Sequence, residues 1–103
     1  MLGGGFFLSN KIDIREIKIA RETIRPFIKR TTLKYSNFLS SLCQGTVYLK
    51  LENTQLSHSF KIRGAFNKIL HLTPEEKQKG IITCSSGNHG LATAIVAEKM
   101  DIA

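Results

Sequence analysis

The sequence predicts an α/β fold, and three observations carry that prediction. Two short runs rich in β-branched and aromatic residues, 46–51 and 81–84, are bounded by glycine and other turn residues. Segments with apolar residues at helical spacing stand between and around them. The resulting order is α-β-α-α-β-α followed by the approach to a further β segment, and strands separated by helices imply parallel pairing with right-handed crossovers. Two strands cannot make a sheet covered on both faces, so the pattern reads as a truncated portion of a larger domain.

Taken in order, residues 1–12 read as a flexible lead-in to an incomplete domain over 13–103. Asp13 and Glu16 form a capping-box pattern. Ile14, Ile17, Ala20 and Ile24 mark one face of the helix that follows, and Pro26 stops it. Residues 27–34 read as an extended link, then a short helix runs from Ser36 to Leu42 and closes at Gly45. The run Thr46 to Leu51 is the first strand. A loop over 52–58 leads to a helix with Ser59 as its N-cap and a core-facing stripe of Ile62, Ala65, Phe66, Ile69 and Leu70. Thr73-Pro74-Glu75-Glu76 is a second capping box with proline at N1, and Gly80 ends its helix. Ile81 to Cys84 reads as a short buried strand. The turn Ser85-Ser86-Gly87-Asn88-His89-Gly90 then opens a helix over Leu91 to Met100, and Asp101-Ile102-Ala103 approaches another strand.

Composition narrows the classes of function. A hydrophobic fraction of 42% with 22% charged residues is that of an ordinary globular segment. No apolar run approaches the roughly 20 residues of a membrane helix, and the opening eight residues lack the basic start and cleavage site of a signal peptide. Cytoplasm is therefore the expected location. The net charge of +7 comes from basic residues dispersed along the chain, without interleaved aromatic residues that could stack on bases. It reads as a solvated face, with neither a nucleic acid nor a membrane as partner. Cys43 and Cys84 have no CxxC spacing and no histidine at ligand distance in sequence, so no metal site is expected and both read as reduced, mostly buried thiols.

In a parallel α/β sheet, ligands bind beyond the carboxyl ends of strands, beside helix N-termini. Two turns occupy that position, 52–65 and 85–90. Lys61 falls in the first turn of its helix, where the macrodipole disfavours a cation. Position alone leaves two readings, a solvated lysine or an amine whose pKa must fall to form a Schiff base. The second turn offers backbone N–H groups, two hydroxyls, an amide and an imidazole. It reads either as a nest for a carboxylate or phosphate or as a polar turn with Asn88 as N-cap.

The residues Lys50-Leu51-Glu52-Asn53-x-Gln55-x-x-x-Ser59-Phe60-Lys61-Ile62-Arg63-Gly64-Ala65, followed by Ser85-Ser86-Gly87-Asn88-His89-Gly90, resemble the fold-type II pyridoxal-phosphate enzymes, in the threonine dehydratase and serine racemase group. The likeness covers roughly residues 13–103, including Arg30-Thr31-Thr32-Leu33 as the link before the lysine turn. It implies the N-terminal part of a parallel sheet with helices on both faces, and pyridoxal 5'-phosphate as cofactor. By the same resemblance Lys61 holds the cofactor as a Schiff base with Phe60 beside it, and Asn88 bonds the cofactor's 3' oxygen. The turn Ser85, Ser86, Gly87, Asn88 and His89 receives the substrate carboxylate, and Ser86 matches the second-face base of the racemases.

The activity implied is β-elimination of L-threonine or L-serine to a 2-oxo acid and ammonia, by a protein that is a homo-oligomer at full length and takes a small amino-acid substrate. Serine racemase, another fold-type II enzyme and a non-catalytic truncated remnant are the alternatives. Three departures stand out. Thr32 replaces the usual proline of the link, and Ser57-His58 replaces the commoner Thr-Gly. The family's glycine-rich phosphate loop and the group facing the pyridine nitrogen come later in its members, and neither occurs in these 103 residues. The 103 residues by themselves are therefore expected to be inactive.

Overall fold

The computed structural model describes residues 11–103. Most of the expected lead-in, residues 1–10, lies outside the described residues. Helix α1 spans Ile14–Ile24 and is capped by Asp13, whose carboxylate accepts from the Arg15 amide at 2.8 Å. The cap forms as the sequence predicts, but the reciprocal bond from Glu16 does not. Only the far end of its apolar face is used. Ile24 is buried, whereas Ile14 and Ile17 remain exposed.

Strand β1 (Leu33–Tyr35), helix α2 (Asn37–Cys43) and strand β2 (Tyr48–Lys50) form one supersecondary unit. The Ser36 side chain caps α2 by accepting from the Leu39 amide, and Gln44 ends it in the left-handed conformation. The Ser40 hydroxyl accepts from the Val47 amide at 2.9 Å, which folds α2 back so that the chain re-enters beside the point where β1 ended. A strand that re-enters at that end must run backwards. β1 and β2 therefore pair antiparallel, with Leu33 opposite Lys50 and Tyr35 opposite Tyr48. The two tyrosine rings meet edge to face at 5.5 Å. The parallel pairing expected from the alternation of elements is absent among the described residues.

A 3-10 turn at Glu52–Thr54 leads to α3 (Lys61–Leu70), then α4 (Pro74–Gln78) and α5 (Asn88–Lys99). The Thr73 capping box is present in full: Glu76 N–H donates to the Thr73 hydroxyl and Thr73 N–H to the Glu76 carboxylate. Gly80 follows at φ +79°, where a Cβ would stand 2.8 Å from the Ala103 carbonyl oxygen, so both conformation and space require glycine. The core lies where α1 ends and α3 meets α5. It consists of Ile24, Ile62, Ala65, Phe66, Ile69, Ala92 and Val96, with Phe27 stacked on Phe66 at 5.3 Å. The stripe read from the sequence thus faces the core as expected.

Two sequence expectations are corrected. Residues 81–84 form no strand. Ile82 is 100% exposed, and the link to the chain's end is one bond from Ile81 N–H to the Ala103 carbonyl at 2.7 Å. A strand needs a ladder along its length, and the described residues supply a single rung. For the same reason Cys84 is exposed rather than buried. Cys43, at the solvent-facing end of α2, is exposed too; both thiols are free. Among the described residues no helix is long and apolar enough to cross a membrane.

Candidate active site

The loop before α3 is held by polar side chains. The Gln55 amide, only 1% exposed, pairs with the backbone of Lys29: its Oε1 accepts from Lys29 N–H at 2.9 Å and its Nε2 donates to the Lys29 carbonyl at 2.8 Å. Glu52 accepts from the Thr31 hydroxyl at 2.9 Å and from Arg63 Nε and Nη2 at 3.0 and 2.5 Å. Lys50 Nζ donates to the Thr31 carbonyl at 2.7 Å. The 29–31 link, the 50–55 segment and the first turn of α3 are thus joined through one network. Sequence reading passed over its chemistry, although Glu52, Gln55 and Arg63 stand inside the motif quoted above. The only signal was an acid, an amide and an arginine next to residues that must be buried.

Burial pushes the Glu52 carboxyl up, but the Arg63 guanidinium together with the Thr31 and Gln55 hydrogen bonds outweighs it and holds the group below the usual glutamate range. A depressed carboxyl contributes stability above its unfolded value, about 4.3, and loses it as pH falls through the lower folded value. The melting temperature should therefore drop as pH falls from 6 to 3, and Glu52→Gln should flatten that drop. Parallel curves for the two proteins would show that the network does not carry this acid sensitivity.

Between network and helix the backbone makes one unusual turn. His58 lies at φ 56°, in the left-handed region. The Ser57 hydroxyl, fully buried, donates to the Ser59 carbonyl at 3.2 Å. The left-handed conformation costs an L-residue about 1–2 kcal/mol, and glycine recovers most of this less about 0.5–1 kcal/mol of backbone entropy. His58→Gly should raise stability by about 0.5–1 kcal/mol in urea unfolding and His58→Val should lower it. A stabilising valine would contradict the strain argument.

Ser59 is not the N-cap expected from the sequence. Its hydroxyl is buried without a hydrogen-bond partner among the described residues, and the cap position falls to Phe60, whose side chain has no oxygen to offer. Lys61 is the first residue of α3 and is exposed. Its Nζ stands 5.0 Å from the centre of the Phe60 ring, and among the described residues it makes no ion pair. Neither Phe60 nor the helix start supplies a counter-charge.

The second turn is exposed from Ser85 through His89. The Ser85 hydroxyl accepts from Gly87 N–H at 3.2 Å. α5 begins at Asn88, three residues before the expected start, with Gly87 in the cap position and no side-chain cap. The reading of Asn88 as N-cap is therefore corrected: Asn88 lies inside the first turn, and the helix's first amides lack a side-chain acceptor. The Thr93 hydroxyl donates to the His89 carbonyl one turn along.

α3 and α5 pack directly on one another. A cavity of about 430 Å³ lies beside them, lined among others by Gly64, Ala65, Lys68, Thr83, His89 and Thr93. Of the site residues read from the sequence, His89 alone lines it. Lys61, Phe60, Ser85, Ser86, Gly87 and Asn88 lie at the exposed starts of the two helices, and no hydrogen bond joins Lys61 to the 85–89 turn among the described residues. No group of three metal-ligating side chains occurs there either.

The family described as pyridoxal-phosphate dependent enzyme matches residues 24–103. The chain is 50% identical over 92 residues to a catabolic L-threonine dehydratase, TdcB, of Staphylococcus aureus (strain USA300), covering 88% of this chain and 27% of that protein. It is 46% identical over 87 residues to an L-threonine ammonia-lyase of Thermotoga maritima, 84% of this chain and 22% of that one. The structure of maize serine racemase superposes with a TM-score of 0.81 at 38% identity, over 87% of this chain and 27% of that one. The chain thus spans about a quarter of the length of the relatives it matches. With its lysine turn and its Ser-Ser-Gly-Asn-His turn each opening one of two packed helices, and a family match over most of its length, the chain belongs to the pyridoxal-phosphate-dependent enzymes of fold type II.

Proposed function

We propose that this chain is the lysine-bearing N-terminal portion of an L-threonine/L-serine ammonia-lyase, which releases a 2-oxo acid and ammonia. The observation that carries the reading is the pairing of two helices that both start without a side-chain cap, one on an exposed lysine and the other on a turn of hydroxyls and amides. The names of the 46–50% identical relatives favour dehydration over other chemistry. We place the protein in the cytoplasm, as a homo-oligomer at full length, acting on a free amino acid and on neither nucleic acid nor membrane. Residues 13–103 would be one incomplete part of the catalytic domain.

The residues present fit the attachment of pyridoxal phosphate: Lys61 offers an exposed amine without a carboxylate partner among the described residues, and Phe60 lies against it. Lys61 and Asn88 would hold the cofactor, which supplies an electron sink for the carbanion left when the α-proton departs. Lys61 Nζ, as a free amine, would take that α-proton and return it to the departing β-hydroxyl, which leaves as water; one water then hydrolyses the released enamine to the 2-oxo acid and ammonia. The amides of the 85–89 turn bind the substrate carboxylate at the N-terminus of α5, where the helix dipole favours an anion. The Ser85 and Ser86 hydroxyls add donors there, and fixing the carboxylate orients the α-carbon towards the lysine.

The superposition on maize serine racemase favours one second reading. Racemisation needs an acid or base on each face of the carbanion, and Ser86 is the candidate for the second face. The test uses a chimera joining this chain to the remaining part of the Staphylococcus aureus dehydratase. In a lyase, Ser86→Ala should raise KM about 2- to 13-fold, for a lost hydrogen bond of about 0.5–1.5 kcal/mol. In a racemase the same change should cut D/L interconversion by about 10²-fold or more and spare L-elimination. We expect the first result, and a selective collapse of racemisation would identify the other branch.

A further inference from the structure

The Lys61 side chain makes no hydrogen bond or ion pair among the described residues, so its placement depends on how α3 is held. The helix start has no local cap, and the preceding backbone turns through a left-handed residue. What reaches the first turn from outside is Glu52. Its Oε1 takes both Arg63 donors and the Thr31 hydroxyl, and Oε2 faces Gln55 Nε2 at 3.4 Å. Gln55 is itself pinned to the Lys29 backbone by two bonds. Arg63 follows Lys61 by two residues and so projects about 200° round the helix from it. A clamp on Arg63 therefore fixes the rotation of the first turn without covering the lysine.

We propose that Glu52 is a positioning residue for Lys61, acting through Arg63: the two Arg63 donors converging on Glu52 Oε1 set the rotation and depth of the first turn of α3 in place of an N-cap. The consequence for catalysis rests on the ammonia-lyase reading above; the mechanical role does not. Glu52 touches neither substrate nor cofactor in this scheme. Its carboxylate also supplies negative charge near the first turn of α3, where the helix dipole favours it.

The test uses Glu52→Gln and Arg63→Lys in this chain, each preserving bulk while losing charge or the two-pronged geometry. Trace acetylation followed by peptide mapping gives the ratio of Lys61 to Lys68 modification, with Lys68 as the control two turns along the same helix. In Glu52→Gln that ratio should change by about threefold or more, and in Arg63→Lys by less. Amide exchange over residues 62–65 should quicken by about tenfold, with α5 unaffected. An unchanged ratio overturns the proposal, and so does faster exchange spread equally over α3 and α5, which would be a loss of stability alone. In the chimera, Glu52→Gln should lower kcat about 10- to 100-fold and leave KM nearly unchanged; an unaltered kcat also overturns it. If borohydride reduction of the chimera with its cofactor labels a lysine other than Lys61, the ammonia-lyase reading fails, and the acetylation ratio still decides the clamp.

Discussion

Lys61→Ala in the chimera should abolish covalent attachment of the cofactor and lower threonine turnover at least about 10³-fold, since one substitution removes both the attachment point and the proton acceptor. Borohydride reduction and peptide mapping of the unsubstituted chimera should place the label on Lys61. Lys68 cannot take over: seven residues further along α3 is about 10 Å at 1.5 Å per residue, and it lines the cavity rather than the helix start. Lys50 is engaged with the Thr31 carbonyl. A variant that kept the label, or a label on another lysine, would reject the assignment of Lys61.

Phe66→Ala should have the largest effect on stability, a loss of about 3–5 kcal/mol. Phe66 is 0% exposed, stacks on Phe27 and sits between α1 and α5 in the core. Removing its ring leaves a cavity bounded by three elements that cannot all move inward together. In a chain of this size the melting temperature should fall by more than about 12 °C. Phe60→Ala is the control. Phe60 is 60% exposed, so the same chemical change should cost less than about 0.5 kcal/mol there. Equal losses at the two sites would mean that the core does not lie where α3 and α5 meet.

What the sequence determined by itself was local. The Asp13 cap, the Thr73 box with Pro74 and the Gly80 stop were legible because each involves partners within a few residues. The stripe of Ile62, Ala65, Phe66 and Ile69 was legible because burial recurs with the period of the helix. The two turns at 52–65 and 85–90 were legible as a family pattern. Tertiary structure decided the rest. The antiparallel pairing of β1 with β2 follows from the Ser40–Val47 bond that folds α2 back. The Glu52–Arg63–Thr31 network joins residues 11 and 21 apart in sequence. The failure of 81–84 to become a strand follows from having one rung and no neighbouring ladder. Both displaced caps, Ser59 and Asn88, had suitable side chains, but Ser59 is buried and Asn88 lies inside the first turn of its helix. Periodicity and capping chemistry report which conformation a segment favours; they say nothing of which distant segment will meet its hydrogen-bonding groups, and that choice exists only once the chain has folded.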